Sequence, residues 1–240
     1  MSESEVRSAY GARATEYIDL IGSMGSVHGH DRKLVTEWSR SLVGPVLDAG
    51  CGPGHWTDFM VGQGVAAEGV DVVPEFVSHA RERFPHVPFR TGSITELGVP
   101  TGYADGILAW YSLIHFSPDE LPSALRELAR CIKPGGSLLV GFFEGAAGES
   151  FPHAVTTAYD WSVDELSRQM VDVGFEVLSV HSRSDPGKRP HGAIVARRAL
   201  DDHPRRNSRD LSTRPGQHGS RGTPYAGGAA AGAADAGPGT

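Results

Sequence analysis

The sequence predicts an α/β fold built on a doubly wound, mostly parallel sheet, and three observations lead there. Short apolar runs alternate with segments of helical period from residue 44 to residue 198. The run Val46-Leu47-Asp48-Ala49 closes on Gly50-Cys51-Gly52-Pro53-Gly54, and His55-Trp56-Thr57-Asp58-Phe59-Met60 then opens with helical spacing, so strand, tight loop and helix follow one another. A second apolar run, 65–71, ends on Asp71, seventeen residues past Gly54, the distance that one helix and a return up a parallel strand require.

Taken in order, Val6, Tyr10, Tyr17, Ile18 and Leu20 recur at near-helical intervals, and so do Leu34, Val35, Trp38 and Leu42. Two helices are therefore expected within residues 1–43, joined by a flexible glycine- and serine-rich link over 22–26 and the His28-Gly29-His30 stretch. Beyond Asp71 come a helix over 74–84, a third strand over 87–91 and a loop at Gly92-Ser93-Ile94. A fourth strand over 104–110 runs into Tyr111-Ser112-Leu113-Ile114-His115-Phe116. In an open parallel sheet ligands sit beyond the carboxyl ends of the strands, which directs attention to Trp110 and Tyr111.

Ser117 reads as the N-cap of a helix from Pro118 that carries Leu121, Leu125, Leu128 and Ala129 on one face. Lys133-Pro134-Gly135-Gly136 breaks it and turns into a fifth strand over 137–143. Residues 145–161 interrupt the alternation with His153, Tyr159 and Trp161 and read as a lid or acceptor loop. Ser162 and Glu165 form a capping box for a helix that stops at Gly174, and two alternating strands, 175–182 and 191–198, flank the Asp185-Pro186-Gly187 turn.

With 39% apolar residues in 240, the chain is long enough for one well-buried domain over 44–198. Residues 199–240 shift to Arg, Ser, Pro and His and then to Gly and Ala, with Leu200, Leu211 and Tyr225 as the large apolar residues, and a segment of that composition is expected to stay disordered. The net charge of −7 argues against a nucleic acid partner. No run reaches the roughly 18 apolar residues of a membrane span, the N-terminus lacks a signal-peptide pattern, and two cysteines, Cys51 and Cys131, suit a reducing compartment. A cytoplasmic location is expected; nothing in the sequence specifies an oligomeric state.

The glycine loop sets the ligand class. A dinucleotide site wants G-x-G-x-x-G, whereas here the pattern is D-x-G-x-G-x-G and His55 stands where the third glycine would fall. Asp48 would repel a pyrophosphate but suits a cationic amine, as in S-adenosylmethionine (SAM), which carries an ammonium and a sulfonium and no phosphate. At these residues the chain resembles the class I SAM-dependent methyltransferases that act on small molecules, and the K-P-G-G turn before an apolar strand resembles a second motif of that family. Tyr10, Arg13 and Tyr17 resemble its Y-x-x-x-A-x-x-Y opening.

The resemblance implies a Rossmann-like sheet of seven strands with the last antiparallel, and SAM as cofactor. It implies that Asp48, Ala49, Gly50, Cys51, Gly52 and Gly54, with Trp56, hold the methionine end. Asp71 would take the ribose hydroxyls, Val72, Ser93 and Ile94 the adenine, and Trp110, Tyr111 and Ser112 the transferring centre, with Tyr10 on the capping helix. Many relatives carry an acid at the position of Ser93, so a hydroxyl or backbone carbonyl must serve here.

Methyl transfer needs mainly a positioned pair of reactants in a water-poor pocket. Where the acceptor needs a base, His153 in the acceptor loop is the first candidate and His115 the second, ahead of His28 and His30. No metal-ligand spacing is present. The expected acceptor is a small, partly apolar organic molecule, from the set Trp110, Tyr111, Phe143, Tyr159 and Trp161. The rival readings are an NAD(P)-dependent oxidoreductase and a SAM-binding protein without turnover.

Overall fold

The computed structural model describes residues 3–200, so 201–240 of the expected tail lie outside the described residues. Nine strands are described: β1 Val46–Ala49, β2 Ala67–Asp71, β3 Phe89–Thr91, β4 Ala104–Trp110, β5 Ile132–Phe143, β6 Ser150–Pro152, β7 Thr157–Tyr159, β8 Phe175–Arg183 and β9 His191–Arg198. Seven of them make one sheet in the order β3-β2-β1-β4-β5-β9-β8, while β6 and β7 pair separately as a small antiparallel hairpin. Strands β1 to β5 run parallel and the last strand is antiparallel, as the family resemblance implies; β9 lies between β5 and β8.

Seven helices accompany the sheet: α1 Glu3–Ala12, α2 Ala14–Ile21, α3 Gly29–Arg40, α4 His55–Gly62, α5 Pro74–Arg83, α6 Leu121–Cys131 and α7 Val163–Asp172. All four residues of β1 are buried, because both faces of the sheet are covered. Alternation along the strands sorts the core: Val46 and Leu108 pack with Trp38 and Met60 of α3 and α4, whereas Leu47 and Ile107 pack with Leu125 and Leu128 of α6 and Met170 of α7. Among the described residues no helix is long and apolar enough to cross a membrane.

Three elements depart from expectation, each for an identifiable reason. The first predicted helix is two, broken at Arg13 (φ −120°, ψ 17°), whose guanidinium reaches the Ala154 carbonyl. Helix α6 begins at Leu121 rather than Pro118. Pro122 has no N–H to give the carbonyl four residues back, so it fits only in a first turn; Ser117 instead donates its hydroxyl and its N–H to the Glu120 carboxylate ahead of the helix. Strand β5 takes in Lys133–Gly136, which bulge out because Ala104 pairs with Ile132 while Gly106 pairs with Ser137. The Asp105 carboxylate across from that bulge binds Lys133 Nζ at 2.7 Å and accepts from the N–H groups of Val43 and Gly44 at 2.7 Å each, which fixes the turn into β1.

Candidate active site

A cavity of about 920 Å³ opens along the carboxyl edge of the sheet, within the range that holds a drug-sized ligand. The glycine loop between β1 and α4 forms its floor. Gly50, Gly52 and Gly54 all have positive φ (80°, 53° and 86°), which an L side chain adopts at a cost, and they do different work. A Cβ on Gly50 would stand 2.3 Å from Ser112 Cβ, so this glycine lets the loop touch the segment after β4. One on Gly54 would meet Ala80 Cβ and the Phe89 ring at 2.8 Å, so this glycine serves packing. One on Gly52 would meet nothing within 4 Å, and Gly52 lines the cavity: the backbone there is bare toward a ligand.

Two buried carboxylates flank this loop and line the cavity. Asp48 accepts from Thr57 Oγ1 at 2.6 Å, and Asp71 accepts from the N–H groups of Gly52 at 2.7 Å and Val73 at 2.8 Å, so Asp71 ties the loop to the end of β2. Burial raises both: Asp48 to about 7, its Thr57 bond opposing and Asp71 adding to the rise, and Asp71 to about 6 against the pull of its N–H partners. Two acids so placed welcome a cation. The Cys51 thiol, also buried, is pushed well above its ordinary range by burial and by both carboxylates, and is no nucleophile.

Beyond β4 the chain turns through Tyr111, whose φ of 56° is the one positive value at a non-glycine among the described residues. Its N–H is held by the Gly141 carbonyl at 2.9 Å, and its hydroxyl, raised in pKa by burial, bonds His191 Nδ1. Trp110 packs against Trp56 with ring centroids 5.8 Å apart, and Ser112 Oγ is buried in the cavity wall without a hydrogen-bond partner.

The two histidines proposed as bases differ. His115 Nδ1 lies 2.7 Å from the Thr157 carbonyl, which only accepts, so Nδ1 carries the proton; Nε2, 2.8 Å from Tyr10 Oη, accepts from that hydroxyl. Burial lowers the pKa of His115, partly offset by the Thr157 bond. The neutral ring thus bridges cap helix α1, the segment after β4 and the β6–β7 hairpin. His153 sits at the tip of that hairpin with Nδ1 buried and unpartnered, stacked near His115 (5.7 Å) and Phe143 (5.9 Å). Burial, then His115 and Arg189, lower its pKa to about 4.

The cavity therefore gathers Tyr10, Asp48, Gly50, Cys51, Gly52, Trp56, Asp71, Val72, Ile94, Trp110, Tyr111, Ser112, His115 and His153. It does not gather Ala49, which is fully buried in the main core, nor Gly54, nor Ser93, whose hydroxyl is occupied by Glu3 and by Thr95 Oγ1 at 2.8 Å. Trp161 and Tyr159 pack in the core as well, and of the five expected acceptor aromatics Trp110, Tyr111 and Phe143 remain at the cavity. Of the two lesser histidines His28 lines the cavity, and its side chain caps α3 by accepting from the His30 N–H.

Sequence reasoning missed His55, at the first position of α4, buried with an unpartnered Nδ1 and its pKa lowered by burial to about 4. It also missed Asp31, Arg183, Lys188 and His191, which come to the cavity from α3 and the β8–β9 hairpin. Nothing in their local sequence announces them, since they meet the site only through sheet topology. Among the described residues no group of three or more His, Cys, Asp or Glu is placed to hold a metal ion.

Residues 46–136 match the methyltransferase domain family. A probable S-adenosylmethionine-dependent methyltransferase of Mycolicibacterium smegmatis is 28% identical over 135 residues, 55% of this chain and 52% of the relative. The chain spans about half the length of the first curated relatives it matches, 52% and 48%. Among solved structures, the 1,6-didemethyltoxoflavin-N1-methyltransferase of Burkholderia thailandensis, with bound 1,6-didemethyltoxoflavin and S-adenosylhomocysteine, superposes with a TM-score of 0.67 at 22% identity, covering 82% of this chain and 88% of that one. A [4+2]-cyclase superposes with a TM-score of 0.68 at 21% identity, covering 81% and 96%. At these identities the structures show a shared fold.

Proposed function

Because residues 46–136 match the methyltransferase domain family, we propose that this chain is a SAM-dependent methyltransferase acting on a small organic acceptor. The observation that carries the reading is the pair of buried carboxylates, Asp48 and Asp71, on either side of a loop left bare at Gly52. A pyrophosphate at the loop would face Asp48 in a medium of low dielectric, whereas a ligand with an ammonium is favoured by it, and an acid at the position of Asp71 suits the ribose of either ligand. This argues against the nicotinamide alternative.

The unpartnered Ser112 Oγ and His55 Nδ1 in the cavity wall are polar atoms that a bound ligand would satisfy. In this reading Asp48 and the loop amides hold the methionine end. Asp71 accepts from the ribose hydroxyls with lone pairs not used by Gly52 and Val73, and Val72 and Ile94 flank the adenine. Thr95 and Asp119, which also line the cavity, are the candidates to replace the polar group that Ser93 does not supply. When bound, SAM supplies an electrophilic methyl on sulfur. The protein orients the acceptor, and the cap and the β6–β7 hairpin, joined through Tyr10, His115 and the Thr157 carbonyl, exclude water. His115, with both nitrogens engaged, acts as a positioning residue, and His153 faces the acceptor.

The test is transfer of label from methyl-labelled SAM into a pool of small metabolites. Label in compounds of low mass supports the proposal, and label confined to nucleic acid or protein contradicts it. The second reading is SAM binding without turnover; this chain would then bind SAM and S-adenosylhomocysteine, and no pool would yield labelled product.

A further inference from the structure

We infer that the acceptor is a flat organic acid, methylated on a carboxylate oxygen. The inference rests on the methyl-transfer reading above and concerns the far end of the same cavity. Along the sheet edge Asp71 ends β2 and Asp48 lies in β1, while Tyr111 follows β4, Phe143 ends β5 and His191 begins the antiparallel β9. The nucleoside side and the acceptor side are thus set apart by strand order.

The shape of the acceptor end comes from rings. Tyr111 and Phe143 lie 5.0 Å apart between centroids, Phe143 and His191 5.6 Å, and Phe143 and His153 5.9 Å, and all four side chains line the cavity. Such walls accept a planar, conjugated molecule by stacking.

Its protonation chemistry is poor. Both nitrogens of His115 are engaged, and the Tyr111 hydroxyl and His191 Nδ1 satisfy each other. What remains is His153 Nδ1, buried and unpartnered in a ring that burial and its neighbours keep uncharged near neutral pH, and Nε2 of His191, whose pKa burial also lowers. A base that weak does little for an alcohol or an ammonium. A carboxylate needs none. In its transfer the acceptor oxygen forms the new bond to the methyl carbon, the electron pair of the broken carbon–sulfur bond stays on sulfur, and no proton moves. His153 then donates a hydrogen bond to the acid instead of removing a proton.

The charge balance agrees. The acid at this end, Asp31, is held by Arg183 Nη2 at 3.2 Å and leaves no free carboxylate to receive an amine. Lys188, on the β8–β9 turn, lines the cavity and makes no ion pair among the described residues. Arg183 is shared by Asp31 and Asp185, so the charges here balance and Lys188 is the cavity-lining cation left to meet an acid.

The test uses the full-length protein saturated with S-adenosylhomocysteine and three probes of one shape: 2-naphthoate, 2-naphthamide and 2-naphthylmethylamine, titrated by calorimetry. The naphthoate is expected to bind about tenfold more tightly than the amide and the amine more weakly than both. Lys188→Gln should weaken the naphthoate about threefold and leave the amide unchanged. Equal binding of acid and amide, or preference for the amine, overturns the inference. Failure of S-adenosylhomocysteine itself to bind is a different result, and it overturns the methyl-transfer reading instead.

Discussion

Two glycines, two residues apart in one loop, should fail in opposite ways when each receives a methyl group. In Gly54→Ala the new Cβ stands 2.8 Å from Ala80 and Phe89 at a φ of 86°. A left-handed L-residue costs about 1–2 kcal/mol and overpacking about 1–3 kcal/mol, together about 2–5 kcal/mol. For a domain of this size each kcal/mol moves the midpoint roughly 2–4 °C, so the melting temperature should fall by about 4–20 °C, while the molecules that remain folded keep near-normal affinity. In Gly52→Ala the φ of 53° brings the same backbone term, but the Cβ meets nothing within 4 Å, so the midpoint should fall by only about 2–8 °C. Affinity for S-adenosylhomocysteine should nevertheless drop at least about tenfold, because the methyl occupies ligand space. Differential scanning calorimetry and ligand titration on both variants separate the two. If Gly52→Ala binds like the wild type and melts as low as Gly54→Ala, the assignment of these glycines is wrong.

The remaining predictions concern titration and closure. Asp48 and Asp71 hold protons more tightly folded than unfolded, where an aspartate titrates near about 3.9; their contribution to stability is complete below that pH and is lost as pH rises through about 6 for Asp71 and about 7 for Asp48. The ligand-free melting temperature should therefore decline between about pH 4 and 7 and level off above that, and Asp48→Asn should flatten the decline; an unchanged slope refutes the assignment. A cationic ligand favours the ionised carboxylates, so SAM binding near pH 6.5 should release protons, measurable as a dependence of the calorimetric heat on buffer ionisation enthalpy. For His115→Gln and Tyr10→Phe, the β6–β7 hairpin should exchange its amide hydrogens faster and the KM for SAM should rise about three- to tenfold, with the pH profile of kcat unmoved. A lost basic limb in His115→Gln alone would make His115 a catalytic base.

Much of the sheet was legible because its signals are local. The run Ala104–Trp110 matches β4 residue for residue, and the Ser162 half of the capping box is realised as a 3.2 Å bond from the Glu165 N–H, while the Glu165 carboxylate turns to Arg168 and Gln169. Where reading failed, a distant or subtractive effect decided: the missing N–H of Pro122 delayed α6, and the Ala104/Gly106 register shift absorbed the K-P-G-G turn into β5. Site residues divide the same way. Asp48, Gly52 and Asp71 follow from spacing along one β-α-β unit, whereas Asp31, Arg183 and His191 meet only because β9 inserts between β5 and β8. The third glycine of the dinucleotide pattern is also less decisive than its spacing suggests, since Gly54 already allows close packing against Ala80 and Phe89. The discrimination passes to buried Asp48.

That discrimination is open to one direct measurement: calorimetric titration of the full-length protein, wild type and Asp71→Ala, with SAM, S-adenosylhomocysteine and NADH. A charge-assisted hydrogen bond is worth about 1.5–3 kcal/mol, so the account predicts micromolar binding of the first two, weakened about tenfold to a hundredfold by the substitution, and no comparable binding of NADH. Tight binding of NADH, with SAM and S-adenosylhomocysteine ignored, would contradict it.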